Sequence, residues 1–394
     1  MRLALPRNFM MVTTHLLFVL LLLNCKKKST AQPAPDNRKY YSWNQFAMGA
    51  DLSYLNQVQD YGGVFKDSGI AKDPFTLFRH HGANTIRVRL WHNPQWLAAL
   101  NAGKLYSDLS DVAKTIQRAK NAGMAVNLDF HYSDTWADPG HQQKPAAWNG
   151  LSFAVLKDSV YQYTTYVLNY LKARNLVPEM VQVGNETNPG MIFPDGQVVS
   201  NNYTPFADLL KSGIKAVRDF SATSTIKPQI ILHVAQLQNA TWWANGVMNV
   251  GGVTDFDILG VSHYHVWSNL TSMSEVSTHI RNLKNSFNKK IMIVETAYPW
   301  TSQNADNYNN IISGSTGWAG YGVSREEQLR YLKDLTQQVI SGGGSGIMYW
   351  EPAWISTTLR DLWGTGSSWE NNAFFDYSGN VLPAIDFMTY SYTF

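Results

Sequence analysis

Cysteine is almost missing from this chain. Its 394 residues include one, Cys25, so no disulfide can close within it. Charge is sparse as well: Asp, Glu, Lys and Arg make up 15% of the residues, and the formal net charge is +3. Two positive residues, Arg2 and Arg7, stand in a segment expected to be removed, which leaves the mature chain near neutral. That balance argues against nucleic acid as the partner. Long apolar runs are lacking too, since LLFVLLLL (16–23) is too short to span a bilayer stably. From about residue 41 onward there is no linker and no low-complexity break. No glycine-rich phosphate loop follows the first strand candidate, where ADLSYLNQ stands, which argues against a doubly wound nucleotide-binding sheet. GGGSG (342–346) precedes a strand and reads as a plain turn.

Aromatic residues, in contrast, are frequent: 14 Trp, 20 Tyr and 17 Phe. Some of the Trp must be core. This many also suits platforms for sugar rings, whose flat apolar faces stack on aromatic rings.

The N-terminus reads as processing signal, not fold. A basic start and the short apolar run make a signal peptide over residues 1–24. LLNC, ending in Cys25, resembles the lipobox of bacterial lipoproteins, in which the cysteine becomes the lipidated N-terminus; Asn24 departs from the small residue usual before it. The alternative is an ordinary secretory signal with an incidental cysteine. Residues 25–40 are charged, Pro-containing and without apolar periodicity, and read as a flexible tether. The expectation is an exported lipoprotein of the cell envelope, at the outer membrane on either its surface or its periplasmic face. It is a secreted protein if Cys25 is not lipidated.

Over residues 41–394 short apolar runs alternate with amphipathic stretches. The strand candidates are AMGADLS (47–53), NTIRVRL (84–90), MAVNLDFH (124–131), MVQVGN (180–185), PQIILHV (228–234), FDILGVSHY (256–264), KIMIVET (290–296) and GIMYWEP (346–352). Helix candidates cover 74–81, 109–123, 153–175, 204–220, 272–287, 324–341 and 381–390, with a weaker one over 239–249. Ser324 with Glu327 three residues on forms a capping box, and Gly123 ends its helix. Eight strands alternating with helices predict a single-domain (β/α)8 barrel.

Active groups of such a barrel come from the C-terminal strand ends. Here those ends carry Asp51; Arg87, Arg89, Trp91 and His92; Asp129, His131, Tyr132, Ser133, Asp134 and Trp136; Asn185 and Glu186; His233; His263, Tyr264 and His265; Glu295; and Trp350 with Glu351. This is richer in His, Trp and Arg than a merely solvated rim. Glu186 and Glu295 follow the fourth and seventh strands, which face each other across an eight-stranded barrel. Two carboxyl groups flanking a glycosidic bond are what glycoside hydrolysis requires, one protonated and one ionised. Asn185 can hold a sugar 2-hydroxyl. An Arg from the second strand can keep Glu295 ionised, and a Tyr from the sixth can donate to it. Arg87 serves equally well as a structural ion-pair partner or a substrate contact.

The strings NTIRVRLWHNP (84–94), NLDFHYSDTWADPGHQQKPAAW (127–148), GNETNPGMIFPDG (184–196), DFDILGVSHY (255–264), IMIVETAYPW (291–300) and YWEPAW (349–354) resemble glycoside hydrolase family 53, the arabinogalactan endo-β-1,4-galactanases of the retaining (β/α)8 clan. The likeness runs from about residue 48 to the end. It implies Glu186 as general acid/base and Glu295 as nucleophile. It implies Asn185, Arg89, His131 and Tyr264 around the sugar at the cleavage point, with Asp129, Trp91 and Trp350 near the cleft and Trp350 a sugar platform. SHYHVW (262–267) and HVAQLQNATWW (233–243) depart from the family's usual pattern, and both touch the subsite walls. The partner implied is β-1,4-galactan or arabinogalactan, and no redox cofactor or catalytic metal is required.

Rival readings are an endo-hydrolase of the same clan acting on mannan or glucan, and a glycan-capture lipoprotein that does not cleave. Asp129, His131 and Asp134 have ligand-like spacing, yet sugar or internal hydrogen bonds suit them better than a metal. Asp361, Glu370, Asn371 and Asn372 form an oxygen-rich set compatible with structural Ca²⁺ and equally with a solvated loop. A monomer is the default.

Overall fold

The computed structural model describes residues 38–313 and 317–394. The signal segment, Cys25 and most of the expected tether lie outside the described residues. Eight parallel strands follow one another in chain order: β1 (Ala47–Asp51), β2 (Thr85–Leu90), β3 (Ala125–Phe130), β4 (Met180–Val183), β5 (Gln229–Val234), β6 (Ile258–Ser262), β7 (Lys290–Glu295) and β8 (Gly346–Tyr349). Each pairs with the next, and β8 returns to β1 to close the barrel. The eight expected runs are these eight strands, and the (β/α)8 architecture holds.

Strand alternation divides the apolar residues between two cores. In TIRVRL of β2, Ile86, Val88 and Leu90 face the surrounding helices and join the large core there. Arg87 and Arg89 point the other way, into the lumen. The lumen floor is a separate apolar plug of Ala47, Met180, Ile231, Ile258, Met292, Val294 and Met348. Gly49 makes room for it, since a Cβ there would come within 2.4 Å of the Met348 side chain. Two residues beyond Met180 and Ile231 the same lumen face carries Gln182 and His233, and two beyond Met348, just past the end of β8, stands Trp350. The barrel is therefore plugged below and polar above.

The crossover helices are α1 (Pro74–His80), α2 (Leu109–Asn121), α3 (Phe153–Lys172), α4 (Thr204–Ala222), α5 (Ala240–Ala244), α6 (Met273–Phe287) and α7 (Arg325–Ser341). Asp108 caps α2 by accepting from the Asp111 backbone N–H, and Gly123 beyond its end takes φ 74°. Ser324 caps α7 by accepting from Glu327 N–H at 3.2 Å. The Glu327 carboxylate reaches Gly322 N–H at 2.8 Å instead of turning back to Ser324, so the expected box is half formed. The weak helix expected over 239–249 is real: α5 continues into a π-helical stretch, Asn245–Val250. The helix expected over 381–390 is instead a 3₁₀ segment, Pro383–Thr389. Its buried pairs Ala384/Phe387 and Ile385/Met388 are three residues apart, the spacing a 3₁₀ turn eclipses.

Candidate active site

β4 stops where its backbone turns over. Gly184 takes φ 85° and Glu186, two residues later, takes φ 45°. The first suits glycine; the second is a strained conformation for a side-chain-bearing residue, which persists where the surroundings over-determine it. The turn holds Glu186 half-buried above the lumen, facing a cleft of ≈ 870 Å³ at the C-terminal end of the barrel. Glu295, the last residue of β7, is buried on the opposite wall. Carboxylate oxygens of the two lie within 4.8 Å of each other.

Their surroundings differ. Glu295 Oε1 sits 2.8 Å from Arg87 Nη2, and Tyr264 OH donates to Oε2 at 2.9 Å. Arg87 is the keystone of the mouth. It donates to Asp51 at 2.7 Å, Asp129 at 2.8 Å, Asn185 Oδ1 at 2.7 Å and Gln182 Oε1 at 3.3 Å. Glu186 has no such cation: Oε1 accepts from Ser262 Oγ at 2.5 Å, and its backbone N–H faces His233 Nδ1 at 3.3 Å. Burial raises both carboxyls. Glu186 is held well above the usual range by burial and then by the Glu295 charge. Glu295 is pushed up by burial to about 7, with Arg87 pulling it back down. The last proton of the pair therefore belongs on Glu186.

Of the expected site residues, Asn185, Arg89, His131, Tyr264 and Trp350 line the cleft together with the two glutamates. Asn185 gives one amide N–H to Ala137 O at 2.7 Å, which leaves the second for the cleft. His131 is neutral: burial lowers its pKa, Nδ1 accepts from Ala137 N–H at 3.0 Å, and Nε2 lies 3.1 Å from Asp129. Trp350 is braced edge-on by Trp369, with ring centres 4.6 Å apart. The strand-2 arginine beside Glu295 is Arg87. Arg89, one pleat higher, pairs with Glu351 at 3.4 Å and is caged by Tyr54, Trp91 and Trp136, with Trp136 nearest at 4.1 Å.

Asp129 and Trp91 correct the expectation, because neither lines the cleft. Asp129 is fully buried beneath it, bonded to Arg87, Gln182 and His131. Trp91 is buried behind Arg89. Gln182, Ser262 and Glu351 were missed as site residues, although Glu351 stood among the strand ends. Inward alternation on β4 and β6 was the signal that points to the first two.

Asp134 turns away from Asp129 and His131, accepting from Ala146 N–H at 2.8 Å, so those three do not form a ligand set. Asp361 accepts from the Trp363 and Gly364 N–H groups, both at 2.8 Å, and from Tyr308 OH at 3.0 Å. Glu370 accepts from Ala305 N–H, while the Asn371 and Asn372 amides bond within the loops. Asp361 and Asn371 are thus spent on loop structure, while Glu370 Oε2 and Asn372 Oδ1 are buried without a hydrogen-bond partner among the described residues. Among the described residues Glu186, His233 and Glu295 also cluster as potential ligands. Both His233 nitrogens are engaged, and the Arg87 guanidinium beside Glu295 disfavours a cation.

A parallel barrel with two close carboxyls on opposed strand ends, one beside a guanidinium and one without a cation, is the layout of a retaining glycoside hydrolase. The chain belongs to glycosyl hydrolase family 53, whose model matches residues 47–388. It is 46% identical over 352 residues to the arabinogalactan endo-β-1,4-galactanase of Cellvibrio japonicus, covering 88% of this chain and 91% of that one. The GH53 catalytic domain of Ignisphaera aggregans superposes with a TM-score of 0.79 at 34% identity, over 89% of this chain and 97% of that one. A structure from a study of two fungal β-1,4-galactanases gives 0.72 at 30% identity, over 86% and 98%.

Proposed function

We infer that this protein is an endo-β-1,4-galactanase that cuts galactan or arabinogalactan with retention of configuration. The observation that carries the mechanism is the carboxyl pair. Oxygens within 4.8 Å fit the short separation of retaining enzymes, about 5–5.5 Å between carboxyl groups, and not the ~6.5–9.5 Å of inverting ones. The substrate reading is supported by the 46% identical galactanase.

In this reading Glu295, ionised beside Arg87, attacks the anomeric carbon. The glycosidic C–O bond breaks, its electron pair goes to the leaving oxygen, and that oxygen takes the Glu186 proton. Glu186, now a base, removes a proton from water as the water oxygen bonds the anomeric carbon and Glu295 departs. The spare Asn185 N–H is placed for a sugar hydroxyl, and Trp350 for stacking.

Reducing-sugar release from linear β-1,4-galactan, mannan and glucan by residues 41–394 tests the substrate. Release from galactan alone is expected; cleavage of mannan or glucan alone would sink the substrate reading and leave the mechanism standing. Binding with no cleavage would favour the capture reading. The LLNC stretch supports a lipid tether at the cell envelope, with the outer membrane as the proposed site and a monomer as the default. Labelled fatty acid should appear on the parent and not on Cys25→Ala, and labelling of neither would point to secretion.

A further inference from the structure

Ser262 lies on the lumen-facing side of β6, in phase with Ile258, beside an irregularity in the pairing with β7. Val261 of β6 pairs with Ile293 of β7, yet the next residue, Ser262, pairs with Glu295, and Val294 is passed over. Bulges of this kind re-aim side chains and are common beside active sites. The extra residue, Val294, is on β7 and faces the lumen floor, so the bulge turns Glu295 into the mouth opposite Ser262. The Ser262 hydroxyl lies 2.5 Å from Glu186 Oε1 and 2.9 Å from His233 Nε2. Ser262 and His233 are both fully buried.

The direction of these bonds follows from the far side of the imidazole. Gln182 is fixed in orientation, because its Oε1 accepts from Arg87 Nε at 3.3 Å and its Nε2 donates to Asp129 at 2.6 Å. His233 Nδ1 thus faces two donors, Gln182 Nε2 at 3.0 Å and the Glu186 N–H at 3.3 Å. The one acceptor near it, Asn185 Oδ1 at 2.9 Å, already accepts from Arg87 Nη2 at 2.7 Å. Burial, then the Arg87 charge, keeps the ring neutral. Nδ1 therefore accepts and Nε2 carries the hydrogen. Ser262 accepts from Nε2–H and gives its own proton to Glu186 Oε1.

We propose that His233 and Ser262 are positioning residues that hold the acid proton of Glu186 on Oε2, the oxygen left to the cleft. The hydroxyl oxygen of a carboxylic acid is the poorer acceptor, so the oxygen that takes the Ser262 bond is the carbonyl one. When Glu186 is ionised for the second half of the cycle, the same donor stays in place and Oε2 is free to take the proton of water. The pair need not turn over between the two steps. This rests on the reading of Glu186 as acid/base.

The charged and titratable groups facing Glu186 are Glu295 from β7, Asp138 after β3, Arg87 from β2, Tyr264 after β6 and the neutral His233 from β5. All remain when Ser262 is changed. Ser262 itself lowers the Glu186 pKa, so its removal should move the basic limb of the pH profile upward.

The test compares kcat/KM on galactan with that on 2,4-dinitrophenyl β-1,4-galactobioside, whose leaving group departs without a proton. Ser262→Ala should lose about 10–100-fold on galactan, the scale of a hydrogen bond to a charged group, and several-fold less on the aryl glycoside. Its basic limb should rise, and Ser262→Thr should recover most of the loss. Equal losses on both substrates with an unchanged circular dichroism spectrum, or an unmoved basic limb, would overturn the proposal. So would a neutron structure of the parent with the hydrogen on His233 Nδ1, a readout that needs no variant. Glu186→Gln separates the two levels of inference. If it keeps galactan turnover the acid assignment fails; if it loses turnover while Ser262→Ala does not, only the positioning pair fails.

Discussion

The two walls of the cleft treat the same functional group in opposite ways. On the β7 wall a carboxyl meets a guanidinium and a phenol, Arg87 and Tyr264. On the β4 wall a carboxyl meets a serine hydroxyl backed by a neutral imidazole. Five carboxyls, Asp51, Asp129, Glu186, Glu295 and Glu351, crowd two guanidiniums, Arg87 and Arg89. They cannot all be ionised in so little water. Placing Arg87 on one wall decides which carboxyl gives way. Protonation is thus assigned by where the cation sits: Glu295, the more buried of the two, is the one beside Arg87.

The sharpest way to break the contrast is to remove the anion from the charged wall. Glu295→Gln should cut galactan turnover by about 10⁴-fold or more, the loss seen when a covalent nucleophile is deleted; initial rates of reducing-sugar release measure it. On the other wall Glu186→Gln should lose about 10²–10⁴-fold on galactan, the usual share of general acid–base help. A loss as large on a dinitrophenyl glycoside's kcat/KM would deny it the acid role.

Arg87→Met would erase the difference between the walls. Leaving buried carboxylates without their cation should cost about 3–5 kcal/mol of stability in denaturant titrations. It should also move the acid limb of the pH profile upward, because Arg87 lowers the Glu295 pKa. In the parent the profile should be a bell. Activity falls as pH drops and protonates Glu295, and again as pH rises and strips Glu186, with midpoints that belong to the coupled pair. A smaller change, Tyr264→Phe, removes one hydrogen bond to Glu295, worth about 1.5–3 kcal/mol to a charged acceptor. It should lower kcat about 10–100-fold, and an unchanged kcat would show that Arg87 alone holds Glu295 ready. Smallest of all, Trp350→Ala should raise KM by roughly tenfold, the scale of one lost ring contact, with kcat nearly kept.

Much of this was legible beforehand. The eight runs ending in polar and aromatic residues became eight strands, and Glu186 and Glu295 came to face each other as strand order required. Arg87 and Arg89 show the limit. They share one face of β2 and are about 6.6 Å apart along it, so alternation cannot say which one meets Glu295. Depth in the lumen decides, and Arg87 is the one level with Asp51, Asp129 and Gln182. Asp129 was misjudged for the same reason: a strand-end carboxylate looks available until Arg87, Gln182 and His131 are seen to take up its oxygens. Ser262 had a local signal in the inward alternation of β6 from Ile258, but its meeting with Glu186 is set by a strand end some seventy residues away.

By itself, then, the sequence determined the strand count, the parallel order and the residues available at each strand end, since all three follow from local periodicity and chain order. Only the tertiary structure decided which of those residues touch, which carboxyl gets the cation and which way the hydrogen bonds run. Those outcomes depend on lumen depth and on a bulge between neighbouring strands, and both arise only when distant segments are packed together.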